Sequence, residues 1–204
     1  VFEAHGTVYG VMPWYAGRLL PQARQAWAGP LDEHRLRTLL DDLLSVLEAY
    51  HRVGGVHGAV MPSKVMWLDD GHAVLLGPGA AASALAPRDA NDAGADLEAD
   101  LHGLARVARC CITGELPLAQ GLGVPEPLSA AVERLYVDRP GVRYSAGLLR
   151  ALDRALSPDP AKRPQSLAQF RAGWGQAPLA PVGPPATAAD PAAVSDLADR
   201  PEPL

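Results

Sequence analysis

The chain has 204 residues, 48% hydrophobic and 20% charged, which suffices for one sizeable core but is short for two domains. That hydrophobic share excludes a wholly disordered chain. The net charge of −5 argues against binding nucleic acid through phosphate contacts, and no apolar run approaches the length of a membrane span. The adjacent Cys110 and Cys111 fit buried thiols in a helix, which indicates a reducing, cytoplasmic compartment.

Two β-hairpins are predicted from short apolar runs that flank tight-turn residues. The first hairpin covers residues 1–12 and turns at His5-Gly6, and the second covers residues 65–76 and turns at residues 69–72. Residues 13–17 break the strand pattern after the first hairpin. Residues 77–96 are rich in Ala, Gly, Pro and Asp and lack periodicity, so they are predicted to form a loop.

Helical periodicity of the apolar residues predicts six helices, over residues 21–28, 32–51, 98–113, 128–136, 146–156 and 166–174. Asp32, Ser145 and Ser166 are predicted to cap the N-termini of the second, fifth and sixth of these helices. Gly54-Gly55 is predicted to cap the C-terminus of the second. The helix over 98–113 is apolar on most faces, which is typical of a helix buried at the centre of a domain.

The composition changes at residue 176. Fifteen of the 29 residues from 176 to 204 are Ala or Pro, which predicts a semi-rigid disordered linker and not a second domain. The sequence therefore predicts one folded domain over residues 1–175, of the α+β class but predominantly α, followed by a linker over residues 176–204.

Four segments, taken in order, resemble the protein kinase fold from its fourth strand onward, and bacterial serine/threonine kinases most of all. They are FEAHGTVYGVMPWYAG, HRVGGVHGAVMPSKVMWLDDGHAVLLGPGAA, ADLHGLARVARCCITGELP and LLRALDRALSPDPAKRPQS. The resemblance covers residues 1 to about 174 and implies a kinase C-lobe with the last hairpin of the N-lobe. It also implies that the glycine loop, the lysine strand and the regulatory helix of the N-lobe lie upstream of Val1.

The first segment resembles the strand pair that leads through a gatekeeper, Met12, into a hinge at Pro13-Trp14-Tyr15. The resemblance implies an ATP-binding fold of a transferase family. Met12, Pro13, Tyr15 and Met66 are accordingly the candidate residues of a nucleotide pocket.

The second segment lacks the polar residues that phosphoryl transfer requires. Kinases read H-R-D-x-K-P-x-N and D-F-G in this segment. Here Gly58 stands at the arginine position, Ala59 at the catalytic aspartate and Met61 at the lysine, while Lys64 and Gly77 replace the two magnesium ligands. The resemblance therefore implies no catalytic residues and no metal site.

Three polar residues at structural positions of the family are retained: His57, Asp100 and Arg163. Residues 86–88 read A-P-R where kinases read A-P-E. Arg88 therefore stands where the family has the glutamate that pairs with the arginine at position 163. Either Arg163 has another carboxylate partner nearby, or the alignment is shifted by a few residues. The candidate partners are Asp89, Asp92 and Asp96.

The interpretation favoured by these losses is a bacterial, cytoplasmic pseudokinase that acts as a binding or regulatory module on an unknown protein partner. It holds no metal, and its ATP binding is weak or absent and independent of magnesium. One alternative is an active kinase that recruits Asp69, Asp70 or a carboxylate within residues 89–96. Another is a small-molecule phosphotransferase of the aminoglycoside type, since those enzymes read H-G-D where this chain has His57-Gly58-Ala59.

Overall fold

The computed structural model describes residues 2–9, 13–77, 90–115, 126–139 and 141–175, and only the backbone at residues 2, 8–9 and 90–96. Among these residues there are five strands: β1 (Phe2–Ala4), β2 (Thr7–Tyr9), β3 (Gly17–Leu19), β4 (Val65–Leu68) and β5 (Ala73–Leu75). The α-helices are α1 (Leu20–Ala26), α2 (Glu33–Arg52), α3 (Ala90–Thr113), α4 (Leu128–Asp138), α5 (Ala146–Ala155) and α6 (Leu167–Gly173). The predicted linker over residues 176–204 lies outside the described residues.

The first hairpin is confirmed over residues 2–9, and the remaining residues of the prediction, 1 and 10–12, lie outside the described residues. Strands β1 and β2 are antiparallel, and Phe2 lies opposite Tyr9 in their register. The turn residues His5 and Gly6 have φ angles of 52° and 72°. Two consecutive positive φ angles are the signature of the type I′ turn, whose twist matches that of a two-residue hairpin.

The second hairpin is also confirmed, but it belongs to a three-stranded antiparallel sheet in the order β3-β4-β5. Strand β3 was not predicted: it begins at the last residue of the predicted break over residues 13–17 and ends before the helix predicted over residues 21–28. Gly17 pairs with Leu68, and a Cβ atom at Gly17 would overlap the carbonyl oxygen of Trp67. This close approach of the two backbones requires glycine at position 17. Because glycine is uncommon in strands, it also hides the strand from a prediction based on sequence.

Helix α2 begins and ends as predicted. The Asp32 side chain accepts a hydrogen bond from the Arg35 amide at 3.0 Å. At the other end Gly54 has a φ of 73°, and the Gly54 and Gly55 amides each donate at 3.0 Å to the carbonyls of His51 and Tyr50. This pair of bonds is a Schellman motif. The apolar stripe of α2 is fully buried at Leu36, Leu39, Leu40, Leu43, Leu44 and Leu47.

Helix α3 crosses the core as predicted, but it starts eight residues earlier than predicted, at Ala90 instead of 98. The loop prediction is therefore wrong for residues 90–96. That stretch has three alanines, but its Asn, Asp and Gly residues are poor helix formers and no large apolar residue precedes Leu97, so neither helix propensity nor hydrophobic periodicity could reveal the helix. From Leu101 to Ile112 the inward side chains are fully buried, and Cys110 and Cys111 are buried free thiols as predicted.

The C-terminal helices are confirmed with small changes at their ends. Ser145 and Ser166 cap α5 and α6 by accepting hydrogen bonds from the amides three residues later. In a standard capping box, the side chain three residues after the cap accepts from the amide of the cap residue. In α6 the Gln169 side chain accepts instead from the amide of Gln165, one residue before the cap, at 2.6 Å. Within the described residues, no helix is both long and apolar enough to cross a membrane.

Candidate functional site

The candidate site is the loop between α2 and β4. The carboxylate of Asp100 holds the start of this loop by hydrogen bonds. This side chain projects from the buried helix α3 and is only 1% exposed. It accepts hydrogen bonds from the amides of His57 at 2.9 Å and Gly58 at 2.8 Å, and from His51 Nε2 at 3.1 Å. A buried carboxylate needs such donors, and here they fix the start of the loop to the core.

His57 ties the same loop to the end of β5. Its Nδ1 accepts from the Ala59 amide, and its Nε2 therefore carries the proton and donates to the carbonyl oxygen of Leu76, both at 3.3 Å. Burial is the main cause that lowers the pKa of His57 below its ordinary value of 6.5. The imidazole is thus a neutral anchor that holds the loop.

Helix α3 also approaches the backbone of the loop directly. A Cβ atom at Gly103 would overlap the carbonyl oxygen of Val60 and would lie 2.8 Å from the Val60 Cβ. Glycine at this position therefore allows the central helix to pack against the loop. Asp100 and Gly103 lie one helical turn apart, so a single face of α3 positions residues 57–60.

The positions at which the resemblance expects polar catalytic or magnesium-binding residues lie on this loop and at the end of β5. Gly58 is exposed and has a φ of 68°, Ala59 is half-buried, and the Met61 side chain is 44% exposed. Lys64 ends a 3₁₀ turn over Pro62–Lys64, and its carbonyl oxygen accepts from the Leu76 amide at 2.7 Å. Gly77 follows Leu76, so the structure brings together the two positions that the resemblance assigns to magnesium ligands.

These side chains do not fit magnesium. Mg²⁺ takes oxygen ligands in an octahedral arrangement, whereas Gly77 has no side chain and the Lys64 ammonium has no lone pair to donate. Ala59 likewise offers a methyl group where a base must accept a hydroxyl proton. In the described part of the chain, no group of three or more His, Cys, Asp or Glu residues could hold a metal ion.

Asp69 and Asp70 lie away from the loop positions at which the resemblance expects carboxylates. Both are exposed in the β4–β5 turn, and Asp70 accepts from the His72 amide at 3.0 Å. The four residues of β4 separate this turn from Lys64 by about 13 Å at the usual rise of a strand. The side chains of residues 89–96, the other candidates, lie outside the described residues.

The nucleotide-pocket candidates are dispersed along the β3–β4 pair. Met66 is half-buried and lies opposite Leu19, whereas Tyr15 precedes Gly17 and so lies toward the other end of the pairing. Pro13 is exposed, and Trp14 beside it is 94% exposed. Met12 lies outside the described residues.

Arg163 is half-buried, and its Nε donates to the Ser157 carbonyl oxygen at 2.8 Å. It also lies close enough to His102 for its charge to help lower the pKa of that histidine, although burial is the larger cause. The A-P-R residues 86–88 and the side chains of the candidate partners Asp89, Asp92 and Asp96 lie outside the described residues.

Sequence reasoning missed a buried cluster that we call the α2 clasp, formed by Glu33, Arg37, Ser145 and the Trp174 carbonyl. Arg37 Nε donates to Glu33 at 2.8 Å, and its Nη2 donates to Ser145 Oγ at 3.1 Å and to the Trp174 carbonyl at 3.0 Å. The Ser145 amide donates to the second Glu33 oxygen. The clasp ties the start of α2 to α5 and to the end of α6.

The only sequence signal for the clasp is a Glu–Arg pair at i, i+4 in the first turns of α2. Such pairs are common on solvated helix faces and contribute little there. Burial of Glu33 and Arg37 to 5% and 6% exposure becomes apparent only when α5 and α6 are in place.

No protein-family model matches the chain. A curated relative, "Serine/threonine-protein kinase F" of Synechocystis, is 29% identical over an alignment of 150 residues, and the match covers 58% of this chain and 30% of that protein. The chain thus spans less than a third of the length of this relative.

Solved structures show the same architecture. The structure described as "PpkA-294 apo form" has a TM-score of 0.62 at 25% identity, over 85% of this chain and 65% of that one. The Mycobacterium tuberculosis PknI kinase domain has a TM-score of 0.52 at 24% identity, over 79% and 62% of the two chains. The Rad53 kinase domain with SCD2 has a TM-score of 0.56 at 16% identity, over 81% and 66%. The chain has a protein-kinase-like α+β fold.

Proposed function

We propose that this protein-kinase-like domain is a pseudokinase, a binding or regulatory module that does not transfer phosphoryl groups. The observation that carries the proposal is the chemistry of the loop between α2 and β4. Ala59, Lys64 and Gly77 stand together on a correctly supported backbone and offer neither a general base nor a magnesium ligand.

The polar groups that are missing from the loop, together with the groups that still hold its backbone, favour a binding role over that of a damaged enzyme. Each missing polar group typically costs a factor of about 10² to 10⁴ in rate, and groups that act as a unit fail together. Meanwhile Asp100 and His57 hold the loop by hydrogen bonds, and Gly103 allows α3 to pack against its backbone. A surface that binds a protein partner in the bacterial cytoplasm requires this shape but not the chemistry.

The test is a phosphoryl-transfer assay with γ-radiolabelled ATP, Mg²⁺ or Mn²⁺, and general protein substrates, with an active bacterial serine/threonine kinase as the positive control. We expect no transfer above background. The variant Ala59→Asp restores a carboxylate at the base position, but it should remain inactive because Lys64 and Gly77 still hold no metal.

Multiple turnovers by the wild-type chain would refute the proposal. Their loss on changing Asp69 or Asp70 to Asn would then identify an active kinase with displaced groups. Transfer to an aminoglycoside but not to protein would instead favour the small-molecule phosphotransferase.

A further inference from the structure

We infer that an acidic segment of this same chain, residues 190–202, docks on two exposed arginines of helix α5, Arg150 and Arg154, and covers that face of the domain. We call these two residues the α5 arginine pair. The inference goes beyond the proposed function, because α5 contributes no residue to the candidate site in the loop between α2 and β4.

The α5 arginine pair presents two like charges on one face of a helix. Arg150 and Arg154 are both exposed and lie one helical turn apart, whereas Ala151 and Leu152 between them are buried in the core. Like charges at this spacing repel each other. Among the described residues, no carboxylate forms an ion pair with either guanidinium. A bound anion would relieve this repulsion.

The carboxylate next to the pair on the same helix is already occupied. The two oxygens of Asp153 accept hydrogen bonds from the amides of Leu128 at 2.5 Å and Ser129 at 3.2 Å. These amides lie at the N-terminus of α4, where the helix dipole also favours a negative charge. Asp153 is therefore held at α4 and is not available as a partner for the arginines.

Other exposed arginines of the same half of the molecule do have carboxylate partners. Arg134 pairs with Glu126 at 2.5 Å, and Arg171 lies 3.6 Å from Asp41 and 3.5 Å from Glu48. The α5 arginine pair thus differs from these exposed arginines in having no anion in the part of the chain that the structure describes.

The charges of the helical region and of the segment after it are opposite in sign. Residues 134–175 contain eight Arg or Lys and three Asp, a net charge of +5, although the whole chain has a net charge of −5. Residues 176–204 contain four acidic residues and one arginine, a net charge of −3, and all five lie within 190–202. The nearest acidic segment in sequence therefore complements the face that carries the α5 arginine pair.

The chain leaves the described domain at the start of α5. Arg37 donates through Nη1 to the Gly175 carbonyl at 3.3 Å and through Nη2 to Ser145 Oγ at 3.1 Å, so Gly175 lies near the residue that caps α5. From Ser145 the arginine pair lies about 8 and 14 Å along the helix. A flexible chain as long as residues 176–190 spans about 20 Å on average, which is sufficient for the acidic segment to reach both arginines.

The contact is weak in each ion pair and depends on the covalent link. An exposed ion pair contributes little by itself, and salt screens it. A short tether, however, gives the segment a local concentration in the millimolar range, and two or more pairs then form together. We therefore expect an intramolecular contact that is populated at low salt and released at high salt.

The experiment places a nitroxide spin label in the acidic segment of the 204-residue chain through Ser195→Cys. The native Cys110 and Cys111 are fully buried, and burial raises the pKa of both thiols, so the label attaches to the new cysteine. Paramagnetic broadening of the backbone amide resonances is measured by NMR in about 20 mM and about 1 M NaCl, the latter with a Debye length of about 3 Å.

At low salt we expect broadening of the amides of residues 150–154, and a decrease in their paramagnetic relaxation rate of at least about threefold in 1 M NaCl. Arg150→Gln combined with Arg154→Gln should produce the same decrease at low salt. Asp196→Asn combined with Asp199→Asn should do so from the other side of the contact. These variants change only exposed or acidic-segment residues, and the dispersion of the amide spectrum checks that each is folded.

The matched control is Arg134→Gln combined with Arg171→Gln. It removes the same two charges, but from arginines that already have carboxylate partners, and it should leave the broadening of residues 150–154 unchanged. An equal decrease in this control would overturn the inference, because the effect would then follow net charge and not the α5 arginine pair.

Three other results would overturn it as well. The first two are broadening that persists without the α5 arginine pair and broadening that 1 M NaCl does not reduce. The third is broadening of ¹⁵N-labelled chains by spin-labelled chains without ¹⁵N, which would identify a second copy as the occupant. None of these measurements detects phosphoryl transfer, so this inference and the proposed function can fail separately.

Discussion

Removal of the arginine from the α2 clasp should destabilise the domain strongly, although no residue of the loop between α2 and β4 is touched. The variant is Arg37→Met, which preserves the apolar stem and removes the guanidinium. It leaves the Glu33 carboxylate buried, with only the amide and hydroxyl of Ser145 as donors. It also removes the donor to the carbonyls of Trp174 and Gly175.

The magnitude follows from the burial of the pair. Breaking a buried ion pair by removing one partner costs about 3–5 kcal/mol, because the remaining charge keeps its desolvation penalty. Against a typical domain stability of about 5–15 kcal/mol, this is a large fraction. With a urea m-value of about 2 kcal/mol/M, the unfolding midpoint should fall by roughly 1.5–2.5 M.

The assay is urea unfolding followed by circular dichroism, with two comparison variants. Arg134→Met removes an arginine from the exposed Arg134–Glu126 pair and should leave the midpoint unchanged, since solvated pairs contribute little. The double variant Glu33→Leu/Arg37→Met removes both charges and should be more stable than Arg37→Met alone.

A midpoint shift below about 0.3 M for Arg37→Met would refute the reasoning, because it would mean that the Glu33 carboxylate is solvated or finds other donors. A double variant less stable than Arg37→Met would refute it too, because the isolated charge would then not be the source of the cost.

Three further predictions concern the loop, the histidines and the first hairpin. Gly103→Ala should destabilise the domain by about 1–3 kcal/mol in the same urea assay, because its Cβ overlaps the Val60 carbonyl; a neutral result would show that the loop can move away. His57 and His102 have lowered pKa values, so the unfolded chain binds more protons than the folded one below pH 6.5. Stability should therefore be complete above that pH and fall as the pH drops from 6.5 to 5.5, and a rise over this range would contradict the assignment. In hydrogen exchange, residues 2–9 should exchange fast and the centres of α2 and α3 slowly, since a lone two-stranded sheet is marginal in water; slow exchange at residues 2–9 would show that the hairpin is held by more than its own pairing.

The sequence was sufficient for most elements because their signals are local. Turn residues such as His5-Gly6, caps such as Asp32 and the leucine stripe of α2 specify structure through backbone conformation and helical spacing. The two elements that it did not reveal lack these signals. Strand β3 begins at Gly17, which is required by the approach of β4, and the first turns of α3 contain alanines but no large apolar residue.

The candidate site was predictable in part for the same reason. The residue types at Ala59, Lys64 and Gly77 are visible in the chain, as are His57 and Asp100, and the resemblance stated above makes them candidates for the site. The structure added the contacts among them, such as the Leu76–Lys64 hydrogen bond that brings Gly77 beside Lys64. It also separated Tyr15 from Met66 along the β3–β4 pair, which sequence order alone could not show.

By itself, then, the sequence determined most of the helices, the turns, and the lack of Asp and Glu side chains in the loop between α2 and β4, because each depends on the type of residue at a given position. Only the tertiary structure decided which charges are buried. Glu33 and Arg37 look like a solvated pair until Ser145 and the Trp174 carbonyl, more than a hundred residues away, close over them. Desolvation depends on every element that packs around a group, and no local pattern in the chain carries that information.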